Sequence, residues 1–248
     1  MDILLGKLHA YSRFLELEDS IPYWESQIPE LEDRIEEMQY NKQKKELEML
    51  QLKNSNFFQR VFGKAEAKKE TLALQIREIQ SAHMAATWDL EGLQKKIEAG
   101  KQELEDLTGS EEAYKDALAE SVLSSAQESR LLMEQITAFA PLALETAWHV
   151  LQTLEDARPW MRRDAQTTRA IHGSRRMELL YRAQDQSQLL LKILAALPDG
   201  CADLCTRLEN VYDYICGATS EFKQLDRLET IQIQLRTLRN QLKLLLGE

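Results

Sequence analysis

Residues 54–64, NSNFFQRVFGK, separate two long runs of apolar residues that recur alternately three and four positions apart. The first run extends from Ala10 to Leu52 and the second from Phe58 to Leu107. This alternation places apolar side chains along one stripe of a helix and is typical of coiled coils. Helices joined by so short a connection lie antiparallel. The pattern predicts a long antiparallel coiled-coil helical hairpin with its turn near 54–56, or alternatively extending up to 63.

The register of this hairpin can be predicted by matching large seam residues against small ones. A turn at 54–56 places Trp24 opposite Ala86. Shifting the register by one heptad sets lysines against large apolar residues and leaves a void where Leu17 meets Gly100. Because each large apolar side chain contributes about 1.5–3 kcal/mol when buried, we expect the first register.

Prolines and glycines mark the expected helix boundaries. Proline lacks the N–H that a helix interior needs, so we expect a break or kink between 19 and 29, a kink or stop at Pro141 and a new helix start at Pro159. A last helix carries apolar residues at heptad spacing from Leu228 to Leu245. The predicted fold is all-α, with an N-terminal helix plus coiled-coil hairpin at 1–109 joined to a C-terminal helical bundle at 110–248.

Composition supports this fold class and limits the partners. The chain has only 9 Gly and 5 Pro in 248 residues, too few for a turn-rich β protein. Its formal net charge of −10 argues against general nucleic-acid binding, which needs surplus Lys and Arg. Two stretches are locally basic: 41–69 has eight bases against three acids, and 158–182 has seven arginines against two acids.

The cysteines and the apolar runs predict the compartment. Cys201, Cys205 and Cys216 are few and odd in number, which fits free thiols in a reducing compartment. The N-terminus has no secretory signal pattern, and no apolar run approaches the ~20 residues that span a bilayer. We expect a cytoplasmic protein.

No motif predicts an enzyme. The four histidines are scattered, and the three cysteines lack a fourth nearby ligand for zinc. No Glu-x-x-His pairs suit a di-iron site, and no glycine-rich loop suits a phosphate. The sequence therefore predicts no catalytic residue, no metal ligand and no cofactor.

Two places hold candidate partner-binding residues. The hairpin tip has aromatic and basic side chains that the apolar seam does not use, and the arginine-rich stretch has a tryptophan beside arginines, which can stack on bases or bind acidic groups. The alternative for both is structural, with the tryptophan buried and the arginines paired to the acidic hairpin. The candidates are Phe57, Arg60, Val61 and Lys64 at the tip, and Trp160, Arg162 and Arg163 in the arginine-rich stretch.

These features favour a non-enzymatic helical scaffold or protein–protein interaction protein, monomeric or homodimeric, whose protein partner the sequence does not identify. The first alternative is a peripheral membrane or membrane-remodelling protein that uses residues 3–18 or the basic hairpin end. Residues 3–18 form an amphipathic helix that either lies on a membrane or packs into the protein, and packing is the favoured interpretation. The second alternative is a nucleic-acid-associated factor that uses 158–182.

Overall fold

The computed structural model describes residues 1–54, 64–166, 173–198 and 225–247, and all regular secondary structure in these ranges is α-helix. The all-α prediction is confirmed for this part of the chain. The helices in chain order are α1 (Asp2–Asn54), α2 (Lys64–Asp106), α3 (Ser110–Glu120), α4 (Ser125–Gln166), α5 (Gly173–Ala195) and α6 (Leu225–Leu246).

The helices divide into two compact units. Unit 1 comprises Met1–Ser20 and Leu104–Glu248, and unit 2 comprises Ile21–Glu103. The first part of α1 therefore belongs to the unit that holds the C-terminal helices, whereas the sequence pattern grouped it with the hairpin.

α1 continues through Pro22 and Pro29, so of the break or kink expected between 19 and 29 the break is wrong. Both prolines are exposed, and each removes one backbone hydrogen bond from the helix. Between the prolines, the Ser26 hydroxyl donates to the Tyr23 carbonyl at 2.7 Å. Packing outweighs the lost bonds, since Ile21, beside Pro22, is buried.

α4 likewise runs without interruption through Pro141 and Pro159, so a stop at Pro141 and a new helix start at Pro159 are both wrong. Buried Ala140 and Leu142 flank Pro141 and hold the helix against the core.

The chain instead breaks between α3 and α4, where serines supply alternative hydrogen bonds. The Ser121 hydroxyl donates to the Leu118 carbonyl at 2.8 Å. The Ser124 backbone N–H donates to Oε1 of Gln127 at 2.9 Å, the arrangement of a capping box that starts a helix. Helix boundaries here follow the serines rather than the prolines.

The core of unit 1 is built around α4, which packs against α5 and α6. The heptad residues of α6 from Leu228 to Leu242 are almost fully buried, so the apolar stripe of the last helix finds its partner within this unit, as the sequence pattern favoured. The first part of α1 completes the core. The largest fully buried side chains of unit 1 are Phe139, Leu8, Leu15, Leu17, Leu154, Leu180, Leu190, Ile193, Leu194 and Leu228.

In unit 2, contacts around Trp24 define how the segments from α1 and α2 meet. An ideal Cβ on Gly100 would lie 3.2 Å from Cζ3 of Trp24, and Nζ of Lys96 lies 3.9 Å from the centroid of the Trp24 ring. At the adjacent residues, Nζ of Lys101 pairs with Oε1 of Glu25 at 2.7 Å. The indole therefore lies opposite Gly100, and the expected pairing with Ala86 is wrong by two heptads.

Steric fit explains this correction. An indole opposite a residue without a side chain fills space that a methyl group would occupy, so Gly100 accommodates Trp24 better than Ala86 does.

Two lysines on the apolar stripe are accommodated by their length. Lys42 and Lys45 are half-buried, and their ammonium groups reach Glu46 and Glu48, each at 3.9 Å. The aliphatic stems cover apolar surface while the charged ends stay near water. The free-energy cost of a lysine on the apolar stripe is therefore smaller than the register prediction assumed.

We expect Gly100→Leu to destabilise unit 2 by about 1–3 kcal/mol, because a side chain there overpacks against Trp24 and Ile21. Gly92→Leu is the matched control: nothing lies within 4 Å of an ideal Cβ there, so improved helix propensity should stabilise by up to about 1 kcal/mol. Urea unfolding followed by circular dichroism measures both changes. Equal effects at the two glycines would contradict the Trp24–Gly100 contact.

Candidate functional site

The apolar face of residues 3–18 lies in the core of unit 1. Leu4, Leu5, Leu8, Tyr11 and Leu15 are all buried there. The expectation that this helix packs into the protein is confirmed, and these side chains offer no surface for a membrane.

A buried acid–imidazole pair joins α1 to α4. Nδ1 of His149 lies 2.8 Å from Oδ2 of Asp19, and the two side chains are only 4% and 1% exposed. The other carboxylate oxygen of Asp19 has no hydrogen-bond partner among the described residues. Beside this pair, Nζ of Lys192 lies 3.7 Å from Oε2 of Glu18. Residues 18 and 19 of α1 thus make polar contacts with α5 and α4, respectively.

A carboxylate that orients an imidazole is the usual arrangement of a general base. A base also needs access to a substrate, and both groups are enclosed in the core. The nearby hydroxyl of Thr146, also buried, donates to the Leu142 carbonyl at 3.0 Å. The geometry is therefore that of a polar link between two helices rather than of a reactive centre. Sequence reasoning missed it because Asp19 and His149 are 130 residues apart and match no motif.

A groove of about 810 Å³ lies beside α3 and the end of α5. In it, the rings of Tyr11 and Tyr114 stack at 6.0 Å, and Nε2 of Gln135 donates to the Tyr114 hydroxyl at 2.8 Å. Burial raises the pKa of both phenols, and the carboxylate of Glu111 raises that of Tyr11 further. The groove thus contains neutral phenols at physiological pH. One wall ends at Pro198, where the described chain stops.

The outward faces of unit 2 carry large apolar side chains. In a heptad written abcdefg the seam residues are a and d, while b and f point away and are normally polar. Here six large apolar residues at b and f positions are between 52% and 69% exposed. They are Tyr40, Leu47 and Leu50 on α1, and Leu74, Met84 and Trp88 on α2. Sequence reasoning missed this surface because it followed only the seam positions, although the same spacing rule applied to b and f would have found it.

The candidate residues at the hairpin tip cannot be placed. Phe57, Arg60 and Val61 lie outside the described residues, as does the expected turn beyond Asn54. Lys64 is the first residue of α2, and its side chain is outside the description.

The arginine-rich stretch is partly described. Trp160 is half-buried and packs against the core of unit 1, while Arg162 and Arg163 lie on α4 with side chains outside the description. Arg158 pairs with Glu229 of α6, so its acidic partner is not on the hairpin, where the structural alternative had placed it. Trp160 and Arg158 thus both contact other residues of unit 1.

The described residues contain no group of three His, Cys, Asp or Glu side chains suited to holding a metal ion. Cys201, Cys205 and Cys216 lie outside them. Within the same ranges, no helix has a segment sufficiently long and apolar to cross a bilayer.

Comparison with known proteins identifies no relative: no protein-family model, curated protein or solved structure matches this chain.

Proposed function

We propose that the parts of α1 and α2 in unit 2 form an antiparallel coiled-coil hairpin, and that the protein is a non-enzymatic helical scaffold that binds other proteins through it. Burial supports the hairpin. On both helices the residues at the predicted seam positions are buried or half-buried, while most of the others are exposed. The contacts of Trp24 with Gly100 and Lys96 fit antiparallel segments.

The observation that carries the binding function is the set of large apolar side chains at outward positions. Single exposed apolar residues are common, but a row at helical spacing on a long helix is characteristic of a face that receives another helix. On α1 this row is formed by Tyr40, Leu47 and Leu50, each more than half exposed.

Charge indicates the chemistry of the partner. The part of the basic stretch that lies on α1, 41–54, carries four bases against two acids, and Lys44 is exposed beside Leu47. A partner that complements this face has apolar residues at helical spacing flanked by carboxylates. We therefore propose that the α1 face binds an acidic amphipathic helix of another protein.

Site-specific photo-cross-linking in the native cell tests this proposal. A photoreactive residue in place of Leu47 should form an adduct with another protein chain, because the partner helix covers that position. The same residue in place of Glu98, which is exposed on α2, is the matched control and should give no such adduct. If position 47 yields no adduct, or the same products as position 98, the proposed binding face on α1 is wrong.

A further inference from the structure

On the outward face of α2, the sizes of the side chains are arranged nearly symmetrically about Ser81. The f positions of this helix are Ala67, Leu74, Ser81, Trp88 and Lys95. Large apolar residues stand one heptad to either side of Ser81, and both are exposed: Leu74 at 58% and Trp88 at 69%. When two copies of a helix meet antiparallel about a two-fold axis, residues equally far before and after the axis face each other. An axis at Ser81 sets Leu74 of each copy against Trp88 of the other.

The residues around this axis favour close approach. Ser81 and Ala85 are small and exposed, so two helices can come near enough for the larger side chains to interlock. Met84, 52% exposed, adds apolar surface one turn from the axis. Nothing lies within 4 Å of an ideal Cβ on Gly92, which leaves room for a side chain of the second copy.

Charges at the ends of this face are complementary under the same symmetry. Glu70 and Lys95 are exposed, and among the described residues neither forms an ion pair. About an axis at Ser81, Glu70 of one copy lies within one helical turn of Lys95 of the other, twice per dimer. An isologous interface requires this self-complementarity.

We infer that the α2 face formed by Leu74, Ser81, Trp88 and their neighbours binds a second copy of this chain, antiparallel, with the two-fold axis at Ser81. The inference rests on the proposed coiled-coil hairpin, because pairing with α1 is what turns these positions outward. It names a partner for α2, separate from the acidic helix proposed for α1.

The size of the contact sets the expected affinity. Residues 67–95 span roughly 40 Å at 1.5 Å per residue, and a helix is about 10–12 Å wide. The resulting contact is smaller than the ~800 Å² per partner of a standard stable interface, so the dimer should be weak and reversible.

Sedimentation velocity of the full chain over low to high micromolar concentrations tests the inference. The wild-type chain should pass from monomer to dimer with increasing concentration. Trp88→Glu should weaken the dimer by roughly 30-fold or more, because it places a carboxylate against Leu74 of the other copy. Leu47→Glu, an equally exposed leucine on α1, is the matched control and should leave the dimer unchanged.

A charge exchange tests the position of the axis. Glu70→Lys alone sets like charges against Lys95 and should weaken the dimer roughly tenfold, and combining it with Lys95→Glu should restore wild-type affinity. A chain that stays monomeric at high micromolar concentration overturns the inference, as does a dimer broken by Leu47→Glu but not by Trp88→Glu. A double variant as weak as Glu70→Lys rejects the axis at Ser81.

The two proposals fail separately. A monomeric chain that still forms an adduct from position 47 removes the homodimer and leaves the scaffold function. If the chain forms a dimer that Trp88→Glu weakens, but position 47 yields no adduct, the homodimer stands and the binding face on α1 is wrong.

Discussion

Replacing His149 with Ala should destabilise unit 1 by about 3–5 kcal/mol, because it leaves the carboxylate of Asp19 buried without its partner. Both side chains are almost fully enclosed, so water cannot take the place of the imidazole without opening the core. Urea unfolding followed by circular dichroism measures the loss. The control is His9→Ala, at an exposed position of α1, the helix that carries Asp19. It should change the free energy of unfolding by less than about 0.5 kcal/mol.

A double-mutant cycle separates the pair from the general cost of making a cavity. Asp19→Ala and His149→Ala together should cost less than the sum of the single changes, by roughly 2–3 kcal/mol, since the double variant leaves no unpaired charge. If the two destabilisations simply add, the side chains separated by 2.8 Å have no coupling energy. The claim that this pair links α1 to α4 would then be wrong.

Leu8→Ala should cost about 2–5 kcal/mol, as truncation of a fully buried leucine does. This cost arises only if the start of α1 packs into the core of unit 1. If that segment lay outside the core, truncating Leu8 would change the free energy of unfolding little. Ile3→Ala is the matched control on the same helix: Ile3 is 78% exposed, so its truncation should cost less than about 0.5 kcal/mol. Thermal or urea unfolding compares the two, and similar small effects would contradict the placement of residues 1–20 in unit 1.

The sequence predicted what depends on periodicity. The positions of the seam residues from Ile28 to Leu52 coincide with the half-buried positions of α1, and the apolar stripe of α6 is buried. Periodicity shows which face of a helix is buried but not which part of another helix covers it. The register therefore depended on the assumed turn at 54–56, and the contact of Trp24 with Gly100 shows that the expected register is wrong.

Helix boundaries and the buried pair required information that is not local. A proline costs about 3 kcal/mol inside a helix, but burial of flanking residues such as Ala140 and Leu142 exceeds this cost, and only the tertiary structure shows that they are buried. Ser124 and Gln127 did carry a local capping signal, which sequence reasoning overlooked. Nothing local connects Asp19 with His149, because their contact exists only once α1 lies on α4.

The placement of Met1–Ser20 with Leu104–Glu248 constrains the order in which the protein forms during synthesis. Residues 21–103 contact one another within a continuous stretch and can fold as soon as they have left the ribosome. The N-terminal helix must wait for α4, so its leucines stay uncovered while more than a hundred residues are added. We therefore expect unit 2 to form first and unit 1 to close last. During that interval residues 1–20 expose the leucines that later enter the core, and such apolar surface is what chaperones bind.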